Sequence, residues 1–411
     1  MPPRLLLLSR KPLRERPLHH WLGDTAASTV LLTVPGAIEG CEDVARREFL
    51  DCRVVANYLC WSTEWTAERA AREHGVTLIV SSSEDDVLRC ARLRHRLGLP
   101  GQGVPSATAY RDKLVMKRLA SAAGIRVPPF SAVDRPSDLL DFLAASDGPV
   151  VVKPRREAGS IGVRVIRDAP EAEGFLRDAN LPAAPARPGY WMVERFIEAP
   201  FFHVDGVMAG GRVLHCWPAQ YSGGNAEAVR AGSSLSGVLL DARDPRTPVL
   251  RDLAAAVHRA LPAPPFPTSF HLEAWVGPDL RPVLCEVACR TGGGGVATAY
   301  ENAFGIHLSR ANIRGQGGLD VSFDRQPADP RQYAGWIVFH RGHGRFSPPA
   351  SPCPVAGAQL TFRMSAGEAA SGPQYAGHSA VDATVCAATT GQVQDRLSEL
   401  AAWWREGCAW L

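Results

Sequence analysis

Along the first hundred residues, short apolar runs alternate with segments whose apolar positions recur every three or four residues. Thr29–Val34 is apolar on both faces and stops at Pro35-Gly36, which predicts a buried strand, and Glu42–Leu50 predicts a helix. A second strand is expected at Arg53–Tyr58, a helix at Thr63–His74, a third strand at Val76–Val80 and a helix over Glu84–Leu97. That alternation predicts a parallel sheet with helices on both faces. Leu5–Leu8 is too short for a membrane span and too interrupted by Pro and Arg for a signal peptide, so a cytoplasmic protein is expected.

After the turn-rich stretch 100–105 the pattern changes. Asp112 is placed to cap a helix that carries Leu114, Val115, Leu119 and Ala122 on one face. Val150–Lys153 and Val163–Ile166 predict strands joined by a glycine-bearing loop, and the Pro/Ala-rich residues 181–189 predict a flexible connection. Further strands are expected at Tyr190–Ile197, Val204–Val207 and Arg212–Trp217, then a polar loop at Gln220–Gly237 and a helix at 248–260. His271–Val276 and Pro282–Val287 predict a hairpin around Gly277-Pro278-Asp279. A helix is expected from Gly295 to Ala303, then a strand-rich tail and a last helix at Val393–Trp404. These shifts divide the chain at 1–105, 106–189, 190–318 and 319–411.

Composition narrows the function class. The 411 residues carry 45 Lys plus Arg against 42 Asp plus Glu, a net charge of +3, which leaves no electrostatic footprint for nucleic acid. No apolar run reaches the roughly 18–20 residues of a membrane helix. The ten cysteines include no C-x-x-C pair, and no His or Cys pair beside Cys285 and Cys289 completes a zinc spacing, so buried free thiols are expected. Only four of the basic residues are lysine, namely Lys11, Lys113, Lys117 and Lys153. Lysine differs from arginine where a compact point charge is needed, so its scarcity makes each position informative.

Three segments carry chemistry. Val151-Val152-Lys153-Pro154 followed by Gly159, Ser160 and Gly162 suits a phosphate cradle, because glycines let backbone N–H groups approach oxygens while Lys153 adds charge. Taken alone, such a loop equally suits an ordinary hairpin. His271, Glu273 and Trp275 share one strand face, and the hairpin brings Glu273 near Glu286. Facing carboxylates repel unless a cation lies between them, and hard oxygen ligands suit Mg²⁺; two solvent-facing glutamates on an edge hairpin are the alternative. Glu194-Arg195-Phe196-Ile197, an apolar strand with one acid, suits the wall of an adenine slot or ordinary core.

In order, Asp112-Lys113, Val151-Val152-Lys153-Pro154 with its Gly-Ser-Ile-Gly loop, Glu194–Ile197, His271-Leu272-Glu273 and Glu286-Val287-Ala288-Cys289-Arg290-Thr291-Gly292-Gly293 resemble the ATP-grasp superfamily over residues 25–315. The Glu-x-Ala-x-Arg-x-Gly-Gly ending and the tail Ala334–Phe339 resemble its L-amino-acid ligase and carnosine synthase branch. The resemblance implies an α/β (α+β) fold: an N-terminal parallel domain, a lid subdomain, a catalytic subdomain and a strand-rich C-terminal extension. It implies that Lys113 and Lys153 contact ATP phosphates and that Ser160 and Ile161 belong to the loop closing over them. It further implies that Glu194, Phe196 and Ile197 receive adenine, that Glu273 and Glu286 hold Mg²⁺ or Mn²⁺, and that Arg290 stabilises developing negative charge. Two departures stand out: Ala288 replaces an Asn that helps hold a second metal, and Phe201 replaces an acid on the ribose, where Glu198 or His203 is the candidate substitute.

The implied activity is ATP-dependent joining of an amino acid to an amino acid or other small amine through an acyl phosphate. Other acid and amine pairs of a biosynthetic pathway fit the same site. So does a non-catalytic nucleotide-binding regulator, although binding alone would not require both acids and Arg290. Small-molecule carboxylates and amines are the expected partners, with no nucleic acid and no membrane, and with room for a homodimer. His271, Trp275 and Gly293 are candidates to line the substrate pocket, and Tyr221 and Arg230 to cover it.

Overall fold

The structure is a computed structural model that describes residues 3–178, 189–321, 323 and 327–411, with every side chain among them except those of 227 and 230. The connection expected at 181–189 therefore lies, but for its last residue, outside the described residues, as does the Arg230 side chain.

Strands β1 (Leu5–Leu8), β2 (Thr29–Thr33), β3 (Asp51–Val54) and β4 (Leu78–Ser81) form a wholly parallel sheet in the order β3-β2-β1-β4. The leucine run is thus an inner strand. All four leucines are buried, as a strand with helices on both faces requires. A second, antiparallel sheet contains β5 (Phe130–Val133), β6 (Val150–Pro154), β7 (Arg164–Ile166) and β8 (Trp191–Arg195) in the order β5-β8-β6-β7.

The largest sheet is antiparallel and eight-stranded. It gathers β9 (Phe201–Ala209), β10 (Arg212–Tyr221), β11 (Leu235–Leu239), β12 (Thr268–Val276), β13 (Pro282–Ala288), β14 (Tyr333–His340), β16 (Gln359–Phe362) and β18 (Ser379–Ala387). Their order is β13-β12-β9-β10-β11-β14-β18-β16. Strands β15 (His343–Ser347), β17 (Ala369–Ser371) and β19 (Ala409–Trp410) form a small separate sheet. The segment after residue 318 therefore contributes three strands to the large sheet. The stretch read as a polar loop at 220–237 instead holds the end of β10, a helix at Asn225–Ala231 and the start of β11.

Two-residue periodicity divides the large sheet's faces. Phe270, Leu272, Ala274 and Val276 of β12 join Phe202 and Val204 of β9 in a core shared with Leu250, Leu253 and Val257 of the helix Arg246–Ala260. The intervening positions, His271, Glu273 and Trp275, turn to the opposite face, where they border a cleft. No helix among the described residues is long and apolar enough to cross a membrane. All ten cysteines are unpaired, but only Cys90, Cys216, Cys285 and Cys289 are buried, fewer than expected.

Candidate active site

Register sets the acidic pair. In the β12–β13 hairpin Glu273 lies directly opposite Glu286, while Ala274 faces Leu284, so Cys285 is the extra residue of a β-bulge. Strict alternation would turn Cys285 and Glu286 to opposite faces, yet both border the cleft. Donor atoms of Glu273, Cys285 and Glu286 lie within 4.8 Å of one another. Glu273 accepts hydrogen bonds from the Tyr221 hydroxyl at 2.8 Å and Asn225 Nδ2 at 2.9 Å, and Lys113 Nζ is 3.3 Å from Glu286. Burial alone would raise the Glu273 carboxyl, but the hydrogen bond and charge of His271 outweigh it and bring it down to about 2. His271 in turn is opposed by burial and lifted by Asp205, 2.9 Å from its Nδ1, to about 9.

The lysines converge from two elements. Asp112 caps the helix Lys113–Ala122 by accepting from the N–H groups of Leu114 and Val115, and it also binds Arg155. This fixes the helix start beside the end of β6, where Lys153 lies. Lys153 Nζ is 2.6 Å from one oxygen of Glu194, and Lys117 Nζ is 3.0 Å from the other. Burial opposes every charge in this trio, yet the two ammonium groups hold Glu194 below its ordinary value and Glu194 holds Lys153 above its own. The Glu194 side chain is thus a counter-ion for lysines. Sequence reasoning gave Lys117 no role, although its spacing of four from Lys113 puts both on one helix face.

The glycine loop follows β6. Gly159, Ser160 and Gly162 all have φ between 64° and 72°, and a Cβ on Gly162 would stand 2.8 Å from Pro154 Cγ. The loop is tied to the C-terminal segment, where Ala376 N donates to Gly159 O at 2.9 Å. Arg290 projects from the end of the hairpin, and its Nε donates to Glu84 Oε2 at 2.7 Å.

Of the residues singled out from sequence, Lys113, Lys153, Ser160, Ile161, Glu194, Phe196, Ile197, Tyr221, His271, Glu273, Trp275, Glu286, Arg290 and Gly293 border one cleft of about 750 Å³ between the two antiparallel sheets. Glu198 and Phe201 also border it. His203 does not: it bonds Asp205 and is buried, which removes it as a ribose ligand. Residues that sequence reasoning passed over include Glu84, Asn225, Asp205 and Trp336. Most lie outside local motifs and are brought in by sheet order and helix placement.

No family model matches the chain. It is 26% identical over 251 residues to an L-arginine-specific L-amino acid ligase of Bacillus subtilis, covering 61% of this chain and 58% of that protein. The chain thus spans less than two thirds of that relative's length. In three dimensions it is similar over the full length of both chains to an L-amino acid ligase from Bacillus licheniformis, with a TM-score of 0.70 at 15% identity. A carboxyaminoimidazole ribonucleotide synthase from Aspergillus clavatus, solved with ATP, superposes with a TM-score of 0.69 at 13% identity over 98% of each chain.

Proposed function

We propose that this chain, an ATP-grasp protein by its fold, is an ATP-dependent carboxylate–amine ligase joining an amino acid to an amino acid or other small amine. The convergence of two lysines, an opposed carboxylate pair and a half-buried arginine on one cleft carries this reading. In it, residues 1–105 form the preceding α/β domain, 106–189 the lid, 190–318 the catalytic part and 319–411 the C-terminal extension.

A carboxylate does not react with an amine at neutral pH until one oxygen becomes a leaving group. Transfer of the ATP γ-phosphoryl group to that oxygen gives an acyl phosphate and ADP; the amine then attacks the carbonyl carbon and phosphate departs. Catalysis of such transfers is mostly positioning and neutralisation of charge. Lys113 and Lys153 place compact positive charge at the phosphates, while Val151, Phe196 and Ile197 border the adenine end of the cleft. Glu273 and Glu286 fit a hard divalent cation: facing oxygens of like charge, on a bulged hairpin that aims both into the cleft. They would hold Mg²⁺, or Mn²⁺ in its place, which when bound supplies neutralisation of the phosphate oxygens. Arg290 stabilises charge on the acyl phosphate and on the oxyanion formed by amine attack. The Ser160–Ile161 loop, closed onto Ala376, keeps water from the intermediate.

The test is release of ADP and phosphate on mixing the protein with amino acids and Mg-ATP, with mass spectrometry of the amide. ATP binding without release across a broad panel of amino acids and amines would replace this reading by that of a nucleotide-binding regulator.

A further inference from the structure

Trp336 lies in β14, directly across from Gly237 of β11. Its indole folds over that glycine: a Cβ there would stand 2.7 Å from Trp336 Nε1 and Cε2. On its other side the same residue packs on the Gly292–Gly295 run, where a Cβ on Gly295 would be 2.5 Å from Trp336 Cβ and one on Gly294 2.8 Å from Val338 Cγ2. Three glycines on two separate segments thus leave room for one buried tryptophan, four residues in sequence from Arg290 at the nearest. A substituent at Gly237 would meet the indole itself, one at Gly295 the tryptophan Cβ, and one at Gly294 the Val338 side chain.

Trp336, Val338, Leu235 and Val296 belong to one contiguous hydrophobic cluster, and all four border the cleft. Here the core itself forms the cleft wall. Among the described residues the Trp336 N–H is buried without a partner, and so is Oδ1 of Asn225, which also borders the cleft and whose Nδ2 is committed to Glu273. The Trp336 ring lies 5.9 Å from that of Tyr221, which donates to the same Glu273 carboxylate. The apolar wall therefore begins one ring away from the carboxylate pair.

Resting on the ligase reading, we propose that this inner end of the cleft is the side-chain pocket of the amino acid whose carboxylate is activated, that it selects apolar side chains, and that Trp336 is its specificity-determining wall. An apolar side chain gains by displacing water from Leu235, Val296, Val338 and the indole face, whereas a charged side chain would lose its hydration against a wall whose described residues are all uncharged. Trp336 and Val338 come from the C-terminal segment and Leu235 and Val296 from the preceding part, and none of the four is among the residues placed at the nucleotide or the metal, so the two ends of the cleft are separable by mutation.

The experiment is calorimetric titration of the full chain with leucine or aspartate in the presence of a non-hydrolysable ATP analogue and Mg²⁺, which needs no turnover. Leucine should bind at least about tenfold more tightly than aspartate. Trp336→Ala should weaken leucine about tenfold or more while leaving the affinity for the ATP analogue unchanged, and Trp336→Phe should restore most of it. Because Trp336 is also core, Leu235→Ala provides a second arm: it enlarges the pocket and should shift preference from leucine towards phenylalanine. Equal or tighter binding of aspartate, or leucine affinity indifferent to both pocket variants, overturns the pocket. Selective leucine binding with no phosphate release would keep the pocket and overturn the ligase reading instead.

Discussion

Arg290 and Glu84, 206 positions apart, are joined by a 2.7 Å hydrogen bond from Nε to Oε2. Arg111 binds the other Glu84 oxygen at 2.7 Å. Glu84 opens the helix Glu84–Leu97, whose N-terminal N–H groups also favour an anion. Burial would raise its carboxyl, but Arg290 and Arg111 lower it to about 2. A group from beside the parallel sheet therefore orients the guanidinium proposed to act at the far side of the cleft. Glu84→Gln keeps the shape and removes the charge, and kcat should fall about 10–100-fold with the KM for ATP little changed. Steady-state kinetics that show an unaltered kcat would end Glu84's positioning role.

Arg290→Ala removes the proposed stabilising charge itself. Turnover should fall by roughly 10²–10³, measured as phosphate release at saturating substrates. Near-normal turnover would show that the oxyanion is stabilised elsewhere.

Lys153→Arg preserves charge but not shape. The Lys153 ammonium is buried 2.6 Å from Glu194, and a planar guanidinium is too wide for that space. ATP use should be severely impaired, with nucleotide binding followed directly; wild-type kinetics would mean the lysine is incidental. Lys117→Met should act differently. It leaves one Glu194 oxygen without its buried partner and should lower stability by about 3 kcal/mol in urea titration.

His258 gives a pH dependence distant from the cleft. It is fully buried, bonded through Nδ1 to the Tyr110 hydroxyl at 2.9 Å and packed on Phe270, and burial pushes it down to about 3. Below its unfolded value of 6.5 the unfolded chain takes up a proton that the folded chain refuses. Its contribution to stability is therefore complete above pH 6.5 and declines as pH falls from 6.5 towards 3. Between pH 7 and pH 5 the loss is about 2 kcal/mol. Subtracting the stability profile of His258→Gln from that of the wild type isolates this slope; identical slopes would refute it.

What could be read from sequence was local. The lysine at the end of a strand, the two acids on a short hairpin and Gly293 and Gly294 beside Arg290 each sit in a contiguous motif, and all border the cleft. Leu5–Leu8 was missed because four leucines without alternation carry no period to read, and only the neighbouring strands make them a strand. The bulge at Cys285 was missed because strict alternation is the only rule a sequence offers for which face a residue takes. Glu84 and Trp336 were missed for another reason: their roles depend on partners supplied by sheet order and helix placement, far away in the chain. Lys117 was readable in principle from its spacing to Lys113.

Strand β14 is an inner strand, bonded on one side to β11 and on the other to β18. A chain cut after residue 318 would therefore lose the tryptophan wall and leave β11 with a raw edge, open to pairing with other molecules. The tail is no detachable appendage. It joins two tasks in one segment, supplying Trp336 and Val338 to the apolar wall and, through Ala376, an anchor for the glycine loop.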